Sequence, residues 1–249
     1  MENHSAGVSR DNTLEVIEKM KLEFPDLNIV NLYKVFDKKP TIGEVRKYLV
    51  DSVMLRKVKS NIKNSLAIVS NDADLEDISE NYADKISETF KKDPNIDALG
   101  AKWDFPEKNF KKFPLLHASQ RLWQYLDISF RNYYLKSPEL IGRNSAFRSG
   151  VYAAIGGYNK NAKLAEDLEI GWLIKEARGY DAARISYVNS AWLASNSRRA
   201  VVKMLSGGNL IEQYGDFHTN EEVREATLDK LLEDKIDFDE EKFHKQVQS

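Results

Sequence analysis

Between Asn12 and Lys102 the apolar residues switch repeatedly from helical spacing to short extended runs. This alternation limits the fold more than any other property of the chain. Asn12 to Phe24 predicts a helix, with Leu14, Ile17 and Lys21 down one face and Val16 and Met20 beside it; Pro25-Asp26 breaks it. Leu27 to Tyr33 is strand-like. Thr41 and Glu44 form a T-x-x-E capping box, opening a helix that runs to Lys59. Ser65 to Asp72 reads as a strand and Ile96 to Lys102 as another. Between them Asp77 to Lys92 predicts a helix, with Ile78, Tyr82, Ile86 and Phe90 at spacing four. Strands and helices in alternation imply an α/β fold with a mostly parallel sheet flanked by helices.

The second half is more aromatic. Leu115 to Leu135 predicts a long helix carrying Trp123, Tyr125, Phe130, Tyr133 and Tyr134, rings that either pack in the core or line a groove. Ser145 to Ile155 reads as a shorter helix, closed by Gly156-Gly157 as a left-handed cap. Asp167 to Arg178 is helical up to Gly179, and Ala183 to Val188 is a late strand. After Gly207-Gly208 the chain turns polar and acidic, with a peripheral helix expected over Asn220 to Ser249. The expected organisation is one catalytic domain over residues 1–205 and a helical appendage over 206–249.

Composition excludes several classes. With 37 basic and 39 acidic residues the net charge is −2, so the electrostatic footprint of a dedicated nucleic-acid binder is missing. No cysteine is present, which rules out disulfides, thiolate metal sites and cysteine nucleophiles. No apolar run is long enough to span a bilayer, and the first residues lack the apolar core of a signal peptide. The expectation is a cytoplasmic protein, with peripheral contact at the inner face of a membrane compatible with it.

Three segments carry candidate chemistry. The apolar run from Ser65 ends in Asp72-Ala-Asp74. Carboxylates at i and i+2 lie on one side of an extended chain, where they repel unless a cation is shared. Mn²⁺ or Mg²⁺ suits such oxygen ligands and commonly shares them with substrate phosphates. The triplet equally suits a solvated turn. It is not an EF-hand loop, because Asp77 stands where that loop needs glycine. Glu166-Asp167 opens a helix, where carboxylates are stabilised by the dipole. That pair is either an acidic cap or a general base, Asp167, with Glu166 orienting the acceptor. Gly142-Arg-Asn-Ser-Ala-Phe-Arg148, followed by Gly156-Gly-Tyr158, is a loop whose small residues let backbone approach a ligand, or else a plain capped helix.

In this order, the three segments resemble the family-two glycosyltransferases of GT-A fold. That family shows an apolar strand ending in D-x-D, then G-x-N-x-x-x-R leading to a GGY or GGF turn, then an E-D pair opening a helix. Upstream, Glu2-Asn3-His-Ser5 followed by Asp11-Asn-Thr13 looks like the family's D-N-x-S turn, which contacts the nucleotide base. Thr41-Ile-Gly43-Glu-Val-Arg46 looks like its G-x-x-x-A-R-N helix, with Val45-Arg46-Lys47 in place of A-R-N. The likeness covers residues 2–200. Family members begin with a further strand and helix ahead of that turn, so the resemblance implies an N-terminally truncated GT-A fold. A chain short of a central strand leaves backbone groups unpaired, and such a chain is expected to be poorly stable or self-associating.

The resemblance implies metal-dependent, inverting transfer of a sugar from a nucleotide diphosphate sugar to an acceptor hydroxyl on a glycan or lipid-linked acceptor. In that reading Asp74 and Asp72 hold Mn²⁺ or Mg²⁺ and Asp167 is the base, with Glu166 beside it. Glu2, Asn3, Ser5, Arg46, Asp72, Arg143, Asn144 and Arg198 contact the donor, and Arg148 or Arg199 is a further phosphate candidate. The rival reading is a non-catalytic nucleotide-sugar-binding or interaction module derived from a truncated transferase.

Overall fold

The structure is a computed structural model describing residues 3–4, 12–37, 40–72, 75–104, 114–129, 140, 144–162, 166–180 and 182–195. Its elements, in chain order, are β1 (Asn3–His4), α1 (Thr13–Glu23), β2 (Lys34–Val35), α2 (Ile42–Lys59), β3 (Ala67–Ser70), β4 (Leu75–Ile78), α3 (Tyr82–Lys92), β5 (Ala98–Asp104), α4 (Pro114–Ser129), β6 (Ser145–Arg148), α5 (Ser149–Ala154), α6 (Glu166–Arg178) and β7 (Ile185–Ser195). β1 and β2 pair in parallel as a small sheet of their own. The other strands follow the order β3-β6-β5-β7-β4. The described residues divide into two compact units, drawn from Met1–Asn71, Ile86–Gly100 and Pro138–Tyr187, and from Asp72–Lys85, Ala101–Ser137 and Val188–Ser249.

In the first unit, α2 starts where the sequence says it should. Thr41 is extended at the N-cap and its Oγ1 accepts from the Glu44 N–H at 3.0 Å, which satisfies one of the helix's orphan donors. The same hydroxyl donates to the Lys160 carbonyl at 2.6 Å, so the cap also ties α2 to the loop after α5. Lys47 Nζ adds a bond to the Gly156 carbonyl at 2.9 Å. The core lies under α2 and β3, with Val50, Ile68, Ala98, Leu140, Phe147, Val151, Tyr152, Tyr158, Ile170 and Ile174 in one buried cluster. Burying side chains of this size contributes about 2 kcal/mol each. Tyr152 stacks on Phe147 at 5.5 Å and meets Tyr158 edge-on at 5.9 Å.

In the second unit, β4 pairs antiparallel with the end of β7, with an irregularity between Leu75 and Asp77. Ser79 closes that pair on both sides: its N–H donates to the Trp192 carbonyl at 2.8 Å and its Oγ accepts from the Trp192 N–H at 3.2 Å. The side-chain amide of buried Gln124 on α4 donates to the Trp103 carbonyl on β5.

The fold is mixed α/β, but the expected mostly parallel sheet does not form. β3 pairs antiparallel with β6, β5 with β6, and β4 with β7. The cause is local. Ser145–Arg148 was expected to begin a helix, yet it is extended, and Ser145, Ala146 and Phe147 are buried. It runs between β3 and β5 against the direction of both. The Ser149 hydroxyl and N–H then bond the Leu66 N–H and carbonyl, at 3.0 and 2.8 Å, and the helix starts only after that anchor. Two other expectations shift. Leu27 to Tyr33 forms no strand. The predicted helix from Asp77 begins at Tyr82, because Leu75–Ile78 extends as β4; Tyr82, Ile86 and Phe90 are buried as the spacing requires, while Ile78 is exposed. The left-handed cap holds, with φ of 75° at Gly156 and 78° at Gly157. The acidic segment 220–249 lies outside the described residues, as does the aromatic end of the predicted long helix beyond Ser129.

Candidate active site

Four segments far apart in sequence meet in the first unit around one cation. Arg46, on the inner face of α2, is buried. Its Nε lies 2.8 Å from Glu166 Oε1, with the two side chains 10% and 5% exposed. Its NH1 donates to Ser70 Oγ, the last residue of β3, at 2.8 Å. The Tyr158 hydroxyl donates to the same Ser70 oxygen at 3.4 Å. A buried charge is tolerated only when paired and hydrogen-bonded, and each partner here comes from a different element. Burial pushes the Tyr158 hydroxyl above its ordinary range, against the pull of the Arg46 charge, so it remains a neutral donor.

Glu166 and Asp167 are the first two residues of α6, and with Glu169 they place three carboxylates in its first turn. The two neighbours are treated differently by the fold. Glu166 is buried and turned to Arg46. Asp167 is half-buried, and its Oδ1 accepts from the Leu168 N–H at 3.0 Å. Pinning Glu166 fixes where α6 begins, and so fixes the backbone that carries Asp167. A carboxylate paired in this way holds position.

The remaining predicted residues fall in several places. Asn144 is fully buried just before β6 and has interactions of its own. Asp72 is half-buried, two residues beyond β3, and is likewise not free. Asn3 lies in β1. Glu2, Ser5, Asp74, Arg143 and Arg198 lie outside the described residues, as does Arg199. Arg148 is committed elsewhere: it donates to the carbonyls of Ile96, Phe90 and Asp93 at 2.7, 2.8 and 3.2 Å and lies over the Phe90 ring. It therefore ties the end of α3, at the Phe90 carbonyl, to the turn that follows it, at the carbonyls of Asp93 and Ile96. Sequence reasoning did not foresee Ser70 and Tyr158 as partners of Arg46. Ser70 carried no signal beyond ending an apolar run, and Tyr158 only its place after two glycines.

A divalent cation has a fitting donor set in the acidic triplet, because Asp72 and Asp74 offer oxygen alone. Among the described residues no group of three or more His, Cys, Asp or Glu is placed to hold a metal. Among the described residues no helix is long and apolar enough to cross a membrane. No family model matches the chain, and no curated protein matches it.

Proposed function

We propose that the protein transfers a sugar from a nucleotide diphosphate sugar to an acceptor hydroxyl, with inversion, on a scaffold of GT-A type. The observation that carries this reading is the buried Arg46–Glu166 pair with Ser70 and Tyr158. It joins the end of the strand before Asp72, the helix opened by Thr41-Ile-Gly43-Glu-Val-Arg46, the turn after Gly156-Gly157 and the start of the Glu166-Asp167 helix. Those are the segments whose order in the sequence resembles the transferase family, and a chance likeness of short motifs gives no reason for them to share one buried network.

In this mechanism Asp167 takes the proton from the acceptor hydroxyl. The acceptor oxygen forms a bond to the anomeric carbon while the bond from that carbon to the diphosphate oxygen breaks. The electron pair leaves with the nucleoside diphosphate, and one displacement inverts the centre. Asp74 and Asp72 would hold Mn²⁺ or Mg²⁺, which would supply positive charge to the leaving diphosphate. Arg46 and Glu166 act at one remove, by holding α6 and thus Asp167.

Calorimetry and turnover with UDP- and GDP-linked sugars in the presence of Mn²⁺ test this. Asp74→Ala should abolish metal-dependent nucleotide binding. Asp167→Asn should bind the donor normally and lose about 10³-fold in turnover, the scale of a missing general base. Turnover unchanged in Asp167→Asn removes that residue's role. Donor binding with neither transfer nor hydrolysis in the unmodified protein assigns it instead as a non-catalytic nucleotide-sugar-binding module.

A further inference from the structure

α2 closes in a turn that gathers cations and aliphatic side chains at one end of the helix. Its last residue is Lys59, Ser60 is the cap, and Asn61 takes a left-handed backbone at φ 52°. The Asn61 N–H donates to the Val58 carbonyl and the Ile62 N–H to the Lys57 carbonyl, both at 3.0 Å. This pair of bonds is a Schellman closure, which folds the chain back on the last turn. Lys57 Nζ adds a bond to the Ile62 carbonyl at 2.8 Å. Ile62 and Lys63 are thereby held at the helix end that carries Leu55 and Val58, themselves neighbours at spacing three. Leu55, Val58 and Ile62 are 54%, 72% and 42% exposed.

The charge around them has one sign. Between Ser52 and Asn71 the chain has Arg56, Lys57, Lys59 and Lys63 and no aspartate or glutamate, although its net charge is −2. Arg56 donates to the neutral side chain of Asn28 at 3.5 Å and Lys57 to the carbonyl just named. None of the four is ion-paired among the described residues. The nearest carboxylate along α2, Asp51, is engaged by Lys47 at 3.2 Å and by the Tyr152 hydroxyl at 2.9 Å. The helix dipole accounts for cations in a last turn. It does not account for Lys63, which lies past the cap, nor for aliphatic side chains left in water. α3 ends in Lys91 and Lys92 with no large apolar side chain exposed along it, so there the dipole suffices.

The two properties together select a partner. A second copy meeting this end would bring like charges together. A nucleic-acid backbone would take the cations, but no aromatic ring stands between Leu49 and Asn71 to stack on a base, and phosphates reward no aliphatic side chain. A negatively charged lipid surface uses both: it takes leucine, valine and isoleucine at the boundary of the acyl chains and draws lysine and arginine to the headgroups. We propose that the C-terminal end of α2, through Leu55, Val58, Ile62, Lys59 and Lys63, docks on an anionic lipid bilayer. This stands on α2 and its closing turn alone and does not depend on the sugar-transfer reading.

Co-sedimentation of the full chain with lipid vesicles tests it. The protein should pellet with phosphatidylcholine vesicles carrying phosphatidylglycerol, should stay in solution with phosphatidylcholine alone, and should be released by salt. Leu55→Gln/Val58→Gln removes the apolar contact and Lys59→Gln/Lys63→Gln removes charge; each should weaken binding at least about tenfold. Lys91→Gln/Lys92→Gln removes the same charge from the end of α3 and should bind as the parent does. All these positions are exposed, so circular dichroism melts should match the parent's. The chain has no cysteine, so Val58→Cys carries a single environment-sensitive fluorophore, whose emission should shift to the blue on anionic vesicles. No pelleting with those vesicles overturns the proposal, as does equal loss in the α3 variant or none in either α2 variant. Pelleting without a blue shift, matched by equally tight binding to duplex DNA, overturns it in favour of a general polyanion site. A dimer seen by light scattering without lipid, and split by Leu55→Gln/Val58→Gln, overturns it in favour of a self-interface.

Discussion

Arg46 and Glu166 show how much a single residue pair decides here. Their side chains are almost wholly removed from water, so each depends heavily on the opposite charge of the other. Glu166→Gln strips the guanidinium of this carboxylate while leaving it buried, and is expected to cost about 3 kcal/mol. Arg46→Met does the converse at similar cost. The double variant Arg46→Met/Glu166→Leu should cost clearly less than the two single losses added together, because no buried charge is then left without its counter-ion. Urea melts of the four proteins measure this; strict additivity would mean the two side chains stabilise the fold independently. Asp167 marks the contrast. One position further along α6, it is half-buried and accepts from the Leu168 N–H, so Asp167→Asn, which keeps the shape and an accepting oxygen, is expected to change chemistry more than stability.

At the scale of elements, α2 and the loop after α5 behave as one piece. Gly43 shows why: a β-carbon there would run into the Asn159 carbonyl, a backbone atom with no means of stepping aside. The two glycines closing α5 differ from each other. Both are left-handed, at φ of 75° and 78°, but Gly156 has open space around it while a β-carbon at Gly157 would come within 2.6 Å of the Tyr152 ring. That ring is stacked on Phe147 and its hydroxyl donates to Asp51 at 2.9 Å, so it is held from both ends. Gly156→Ala should therefore cost about 1 kcal/mol, the price of the left-handed backbone. Gly157→Ala and Gly43→Ala should each cost about 3 kcal/mol, since a steric clash is added. Chemical denaturation of the three variants orders them; equal losses at Gly156 and Gly157 would show that the tyrosine ring yields.

For the whole molecule, the buried tyrosines set an alkaline limit. Burial pushes the hydroxyls of Tyr152, Tyr158 and Tyr187 above the ordinary value of 10.0, and the Asp51 carboxylate pushes that of Tyr152 further. As pH passes about 10 the unfolded chain releases those protons while the folded chain keeps them. Stability is therefore full below that pH and falls as pH rises above it. Thermal midpoints measured from pH 8 to pH 11 should decline at the upper end. Tyr187 offers the cleanest control, because its buried hydroxyl has no hydrogen-bond partner among the described residues. Tyr187→Phe should leave stability at neutral pH unchanged or raised by up to about 1 kcal/mol, and should flatten the alkaline decline. A loss at neutral pH would reveal a partner for that hydroxyl.

What could be read from the residue order was whatever depends on near neighbours. Thr41 caps α2 because its hydroxyl reaches Glu44, three residues on. The stripe Tyr82, Ile86, Phe90 faces inward because a helix brings every fourth residue to one side. Gly156-Gly157 ends α5 because only glycine takes that backbone cheaply. Even the acidic start of α6 was legible from Glu166 and Asp167. The tertiary structure decided the rest. Whether Ser145–Arg148 is helix or strand turned on the space between β3 and β5, which no local preference encodes. Whether Arg46 faces water or Glu166 turned on a meeting across 120 positions of chain. Long-range pairing is set by which surfaces the folded core leaves available, and those surfaces exist only once the chain has packed.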